Sequence, residues 1–173
     1  MQSADIINKI INNKPFIDMD VGIHGRAHAN KTLLFSNCLA NLVSQGKDID
    51  IDAINISALL HDCGRKNNGK DPYHSINSAE LALKFIDDYK IKCNKELVYT
   101  CIVRHHPPPN YNDEFKPIES KIVGDADKLD RFRFINQFAP CNPYFFELKE
   151  SRSLMDIASR INGHKWRSFN NKN

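Results

Sequence analysis

LLHDCGR, residues 59–65, runs two leucines straight into His61 and Asp62, an imidazole next to a carboxylate. Ile54, Ala58 and Leu59 lie at helical spacing ahead of the pair, and Gly64 just past it supplies a helix stop. On one reading the helix simply ends there and the pair faces water. On the other, the pair ends a buried stripe and supplies two donors to a metal. The segments on either side decide between them.

Those segments read as helices. Ile6, Ile7, Ile10 and Ile11 make a short amphipathic helix stopped by Pro15. From about His28 to Val43, the residues Leu34, Phe35, Cys38, Leu39, Leu42 and Val43 form a stripe that ends near Gly46. RKNNGKDPYHS, 65–75, reads as a loop because it is polar and carries Gly69 and Pro72. A helix is predicted from Ile76 to Tyr89, and another around Leu97, Val98, Cys101 and Ile102, closed by Pro107, Pro108 and Pro109. A further helix spans about Pro117 to Phe132, with proline near its first turn. Ser153 to Asn162 reads as a last short helix with Leu154, Ile157, Ala158 and Ile161. Period-two alternation, repeats and low-complexity tracts are missing. The expectation is an all-α chain forming one compact helical domain over residues 1–173, with a tail from about 164 that frays.

Composition bounds the function. The 173 residues are 41% hydrophobic and 26% charged, a soluble globular balance with enough chain for one core. A net charge of +3 without a basic run gives no support for a nucleic-acid polymer as partner. MQSADIINKIINNK breaks its apolar residues with Asp5, Asn8 and Lys9, the pattern of neither a signal peptide nor a membrane span. Cys38, Cys63, Cys93, Cys101 and Cys141 are odd in number and never spaced C-x-x-C, as expected of reduced thiols in the cytoplasm.

The histidines carry the chemistry. His28 opens a helix with Thr32 and Phe35 at i+4 and i+7; His61 closes the Ile54–Leu59 stripe; His105 continues the face of Cys101 and Ile102. His106 is turned about 100° from His105 and precedes Pro107. Any one of the three stripe histidines alone is more simply a core histidine or a cap. Together with Asp62 they offer imidazole and carboxylate donors from separate helices, which suits a divalent metal. One more carboxylate is needed. GDADKLD, 124–130, supplies Asp125 and Asp127 on the border of an apolar face, and periodicity does not choose between them.

The order of these elements resembles the HD-domain superfamily of metal-dependent phosphohydrolases, over roughly residues 20–135. IHGRAHANKTLL is similar to its first-helix motif, LLHDCGR to its signature dipeptide and DADKLD to its closing motif. The resemblance implies metal ligands at His28, His61, Asp62 and Asp127. DPYHSINSAE and IVRHHP resemble subgroups with additional histidines, which implies a second metal at His74 and His105 bridged by Asp62. The chain lacks the Glu-Asp pair of alarmone-hydrolysing members and the G-Y-P element of the cyclic-di-GMP branch, so the superfamily is indicated and the substrate is not.

Such a site activates water for attack on a phosphate ester of a nucleotide or another small phosphorylated molecule, with one or two ions of Mn, Co, Ni, Fe, Mg or Zn. Arg65, in the turn beside the dipeptide, is the expected phosphate clamp. Lys66, Arg104 and Lys128 are further cations near the motifs. Asp130, three residues past Asp127, is placed to orient a ligand or take a proton, and His24 to act as an acid or support a ligand. Tyr73, Tyr111 and Phe115 are expected near the mouth. Two other readings use the same donors: a di-iron oxygenase, since imidazole and carboxylate also suit iron, and a metal-stabilised domain without catalysis. Oligomeric state is not legible.

Overall fold

The computed structural model describes residues 3–19, 22–46, 48–112, 114–134 and 142–163. At its centre is α3 (Ile51–Leu60), in which every residue from Ala53 to Leu60 is buried. A helix that is covered all round must have partners on all sides. Asp50 starts it by accepting a hydrogen bond from Ala53 N at 2.9 Å, and it ends on His61.

Around α3 stand α1 (Ser3–Ile11), α2 (Arg26–Val43), α4 (His74–Asp88), α5 (Lys95–His105) and α6 (Ile118–Asp130), with α7 (Lys149–Ser153) and α8 (Met155–Ile161) closing one side. Short 3₁₀ turns cover Arg131–Phe134 and Pro143–Phe145. There is no strand among the described residues, and the all-α expectation is met. The core lies in two masses on either side of α3. Ile6, Ile10, Ile56, Leu59, Phe85 and Ile102 build one; Phe35, Leu39, Ile54, Ile122, Leu129 and Phe132 build the other.

Four details differ from the sequence reading. The buried face of α2 runs through Ala29, Thr32, Phe35, Ser36, Leu39 and Val43, while Leu34 and Leu42 of the expected stripe are exposed. In the last helical stretch Met155 and Ala158 are buried and Ile157 and Ile161 are exposed. His74 is not in a loop: it is the first residue of α4, and it is buried. Gly64 is more than a stop. A Cβ there would meet Ser78 N at 2.4 Å and Asn77 C at 2.5 Å, so only glycine lets the turn after Asp62 lie against α4. Gly64 N also donates to Ser78 Oγ at 2.9 Å. This contact brings the start of α4, and with it His74, to the His61–Asp62 turn.

Cys38, Cys63, Cys93 and Cys101 are free thiols; Cys141 and the tail from 164 lie outside the described residues. No described helix is long and apolar enough to cross a membrane.

Candidate metal centre

Five histidines converge on Asp62, His24 through Nδ1 and the other four through Nε2, and each of those four has its Nδ1 already committed. His61 Nδ1 donates to Ala58 O at 2.9 Å, His105 Nδ1 to Ile102 O at 2.5 Å and His74 Nδ1 to Asp71 O at 2.5 Å. His28 Nδ1 donates to Asp130 Oδ2 at 2.7 Å. Carbonyl and carboxylate oxygens only accept, so the proton of each neutral ring sits on Nδ1 and the lone pair on Nε2. The four Nε2 atoms then face one another in pairs. His28 Nε2 lies 3.0 Å from His61 Nε2, and His74 Nε2 lies 3.2 Å from His105 Nε2.

Asp62 divides between the pairs. Its Oδ2 is 3.7 Å from His28 Nε2 and 3.6 Å from His61 Nε2. Its Oδ1 is 3.4 Å from His74 Nε2 and 3.6 Å from His105 Nε2. Asp127 joins the first pair only, with Oδ1 3.1 Å from His28 Nε2 and 4.0 Å from His61 Nε2. Donors bound to one ion at about 2.0–2.2 Å lie roughly 3–4 Å from one another, so these separations fit a divalent cation in each pair. Lone pairs aimed at each other across 3.0 Å repel unless a cation or a proton stands between them.

For His61 and His74 the electrostatics agree with that donor set. Burial pushes His61 down to about 3 and His74 down to about 4, so both rings are neutral, as metal ligands must be. Burial works against the charge on Asp62, but the imidazoles of His61, His105 and His24 outweigh it and hold the carboxyl well below its ordinary range. Asp127 is held low in the same way by His28 and His61. His28 moves upward: burial opposes its charge, and hydrogen bonds to Asp127 and Asp130 overcome it.

Of the two aspartates that periodicity left open, Asp127 faces the histidines. Asp125 is fully buried on the other side of α6, where it accepts from Glu147 N at 3.1 Å, Leu148 N at 2.9 Å and Ser151 Oγ at 2.7 Å. Asp130, which accepts from His28 Nδ1, is itself held by Arg133 at 2.6 Å and Lys31 at 3.2 Å. His24 Nδ1 donates to Asp62 Oδ2 at 2.8 Å, beside the first pair.

The expected cations are distributed differently. Arg65 is in the centre, but its guanidinium is engaged by the protein: Nε with Asp62 Oδ1 at 3.2 Å, Nη1 with Gly69 O at 3.2 Å and Nη2 with His74 Nε2 at 2.9 Å. Lys128 turns away to Asp125 Oδ1 at 3.1 Å, because one helical residue past Asp127 points to another face. Arg104 does not line the cavity over the site, and Lys66 lines a smaller one of about 110 Å³ behind Asp62. The main cavity, about 470 Å³, is walled by His24, Asp62, His74, His105 and Asp127, and rimmed by Lys70, Arg131 and Arg133. The sequence reading misses these three cations; RFRF at 131–134, directly after the closing motif, is the available signal for the two arginines. Ile23 and Phe134 give the cavity its apolar wall, and Tyr73, Tyr111 and Phe115 do not line it.

A family model described as HD domain matches residues 25–131, which is 107 of the 173 residues and spans every donor from His28 to Asp130. No curated protein matches the chain, and no solved structure does.

Proposed function

The chain belongs to the HD-domain family, and on that premise we propose that it is a metal-dependent phosphohydrolase acting on a small phosphorylated molecule. The observation that carries this reading is the division of the Asp62 carboxylate, one oxygen toward His28 and His61 and the other toward His74 and His105. A structural site needs one closed set of donors; two sets sharing one carboxylate at the floor of a cavity suit chemistry on a bound substrate. Divalent metal held by His28, His61, Asp62 and Asp127, and by His74 and His105, would supply an activated water and withdraw charge from a phosphoryl oxygen.

The chain's own residues do the rest. Asp130 fixes the ring of His28 and keeps its proton on Nδ1, so that Nε2 stays a donor. The carbonyls of Ala58, Asp71 and Ile102 do the same for His61, His74 and His105. Lys70 and Arg131 stand on the rim and offer charge to the non-reacting oxygens of a phosphate. His24, within hydrogen-bond reach of Asp62 and open to the cavity, holds the carboxylate in its divided orientation.

The test begins with metal-free protein reloaded separately with Mn²⁺, Co²⁺, Ni²⁺, Fe²⁺, Mg²⁺ and Zn²⁺. Phosphate release is then measured from nucleotides, cyclic nucleotides and sugar phosphates. Metal-dependent release is the expected result. Oxygen consumption by the iron-loaded protein, with no phosphate released under any metal, would replace this reading with the oxygenase one.

A further inference from the structure

The second pair of histidines differs from the first in one respect that the metal reading alone does not explain. His28 and His61 face two carboxylate oxygens, from Asp62 and Asp127. Among the described residues, His74 and His105 share only Asp62 Oδ1, and a guanidinium already lies on it. Resting on the two-set reading above, we infer that Arg65 and the second metal are alternative occupants of the His74 site, so that Arg65 gates the change from a one-metal to a two-metal centre.

Lone pairs decide which of the two can occupy the site. A neutral imidazole has a single lone pair on its unprotonated nitrogen. His74 Nδ1 is committed to Asp71 O, so the lone pair is on Nε2, and Arg65 Nη2 takes it at 2.9 Å. A metal cannot bind that nitrogen while the guanidinium does. Asp62 Oδ1 has room for two partners, so the conflict is located at His74. Charge adds to it, since a permanently charged Arg65 stands within hydrogen-bond distance of two of the three donors. Arg65 is not a loose surface residue that wanders into the site. Its side chain is 11% exposed and is anchored to the Gly69 carbonyl.

Two states follow. With Arg65 on His74, the first site holds metal and the guanidinium supplies the positive charge of the second. With Arg65 displaced, the second metal binds, and the freed guanidinium is left in the cavity it already lines. The metals fill in order, and the second is held more weakly.

The experiment is a titration of metal-free protein with Mn²⁺, read by calorimetry and by counting free Mn²⁺ with electron paramagnetic resonance. Wild type, Arg65→Met and Arg65→Gln are compared, each checked for native helix content. Wild type is expected to bind one Mn²⁺ tightly and a second about tenfold or more weakly. Whichever neutral variant keeps the native helix content should bind the second about tenfold or more tightly than wild type, with the first unchanged. Adding His74→Ala to that variant should abolish the second equivalent. A second equivalent that is unchanged or weakened in the neutral variants, or two equally tight ones in wild type, would overturn the gate and leave the proposed function standing. No Mn²⁺ bound by any of the proteins would instead overturn the metal reading on which it rests.

Discussion

Asp130 Oδ2 accepts the hydrogen bond from His28 Nδ1 at 2.7 Å, joining the end of α6 to the first turn of α2 across 102 positions of sequence. The bond does for His28 what backbone carbonyls do for the other three rings, with a charge added. Asp130→Asn keeps the shape and removes that charge. We expect Mn²⁺ affinity of the first site to fall about 10–100-fold, the usual effect of removing a partner of a ligating histidine. Calorimetric titration checks it, and an affinity within about twofold of wild type would refute the orienting role.

Asp62→Ala removes the one group common to both histidine pairs. Turnover should fall below about a tenth of wild type on whatever substrate the screen identifies, because metal-assisted catalysis contributes several kcal/mol. Steady-state kinetics with each metal at saturation is the measurement, and retention above that level would separate Asp62 from the chemistry.

Chelation should destabilise the native protein. Metal binds the folded arrangement of donors and not the unfolded chain, so its removal lowers stability in proportion to the free concentration over Kd. At a hundredfold excess over Kd the loss is about 2.7 kcal/mol. A thermal melt with and without chelator, unchanged in midpoint, would show that the donors hold no metal.

Gly64→Ala puts a methyl group where Ser78 N and the Asn77 carbonyl carbon stand, at 2.4 and 2.5 Å. Both obstacles are backbone and cannot rotate away, so α4 must shift outward. His74 shifts with it while His28, His61 and Asp127 stay. The variant should keep one metal and bind the second more weakly, counted by metal analysis after equilibrium dialysis. Equal content in both proteins would contradict the positioning role of the contact.

Asp125→Ala tests the opposite face of α6. It strands Glu147 N, Leu148 N and Ser151 Oγ and leaves Lys128 without this partner. Loss of a buried charged acceptor should cost roughly 3 kcal/mol. Urea unfolding measures it; a change under about 1 kcal/mol would mean that water replaces the carboxylate without penalty.

Much of this arrangement is legible in the sequence. Helical periodicity gave the all-α class because nearly every segment buries one face. His28, His61 and Asp62 were legible because each ends or begins a stripe. The choice of Asp127 over Asp125 was not, since it depends on where the backbone of 147 and 148 returns, and periodicity carries no record of that. His74 was misread as a loop residue because Pro72 and its polar neighbours hide a helix that begins without a side-chain cap. Lys128 was misjudged because adjacency along a helix is divergence in space. Arg131 and Arg133 were overlooked because they follow the motif in a 3₁₀ turn, whose tighter winding swings them toward the cavity.

Asp125 and Asp127 stand two positions apart on α6, one turned to the segment 147–151 and the other to the histidines. That segment lies beyond residue 131, where the family match stops. At the other end, Ile6 and Ile10 of α1 are fully buried against the core that carries His61, and they precede the match. The recognisable stretch is therefore smaller than the cooperative unit that keeps its donors in register. A fragment trimmed to residues 25–131 would retain His28, His61, Asp62, His74, His105 and Asp127, lose His24, and take from the Asp125 carboxylate its Glu147 N, Leu148 N and Ser151 Oγ donors. With that face of α6 uncovered, the register of Asp127 against His28 would rest on the packing of α6 against α2, α3 and α5 alone.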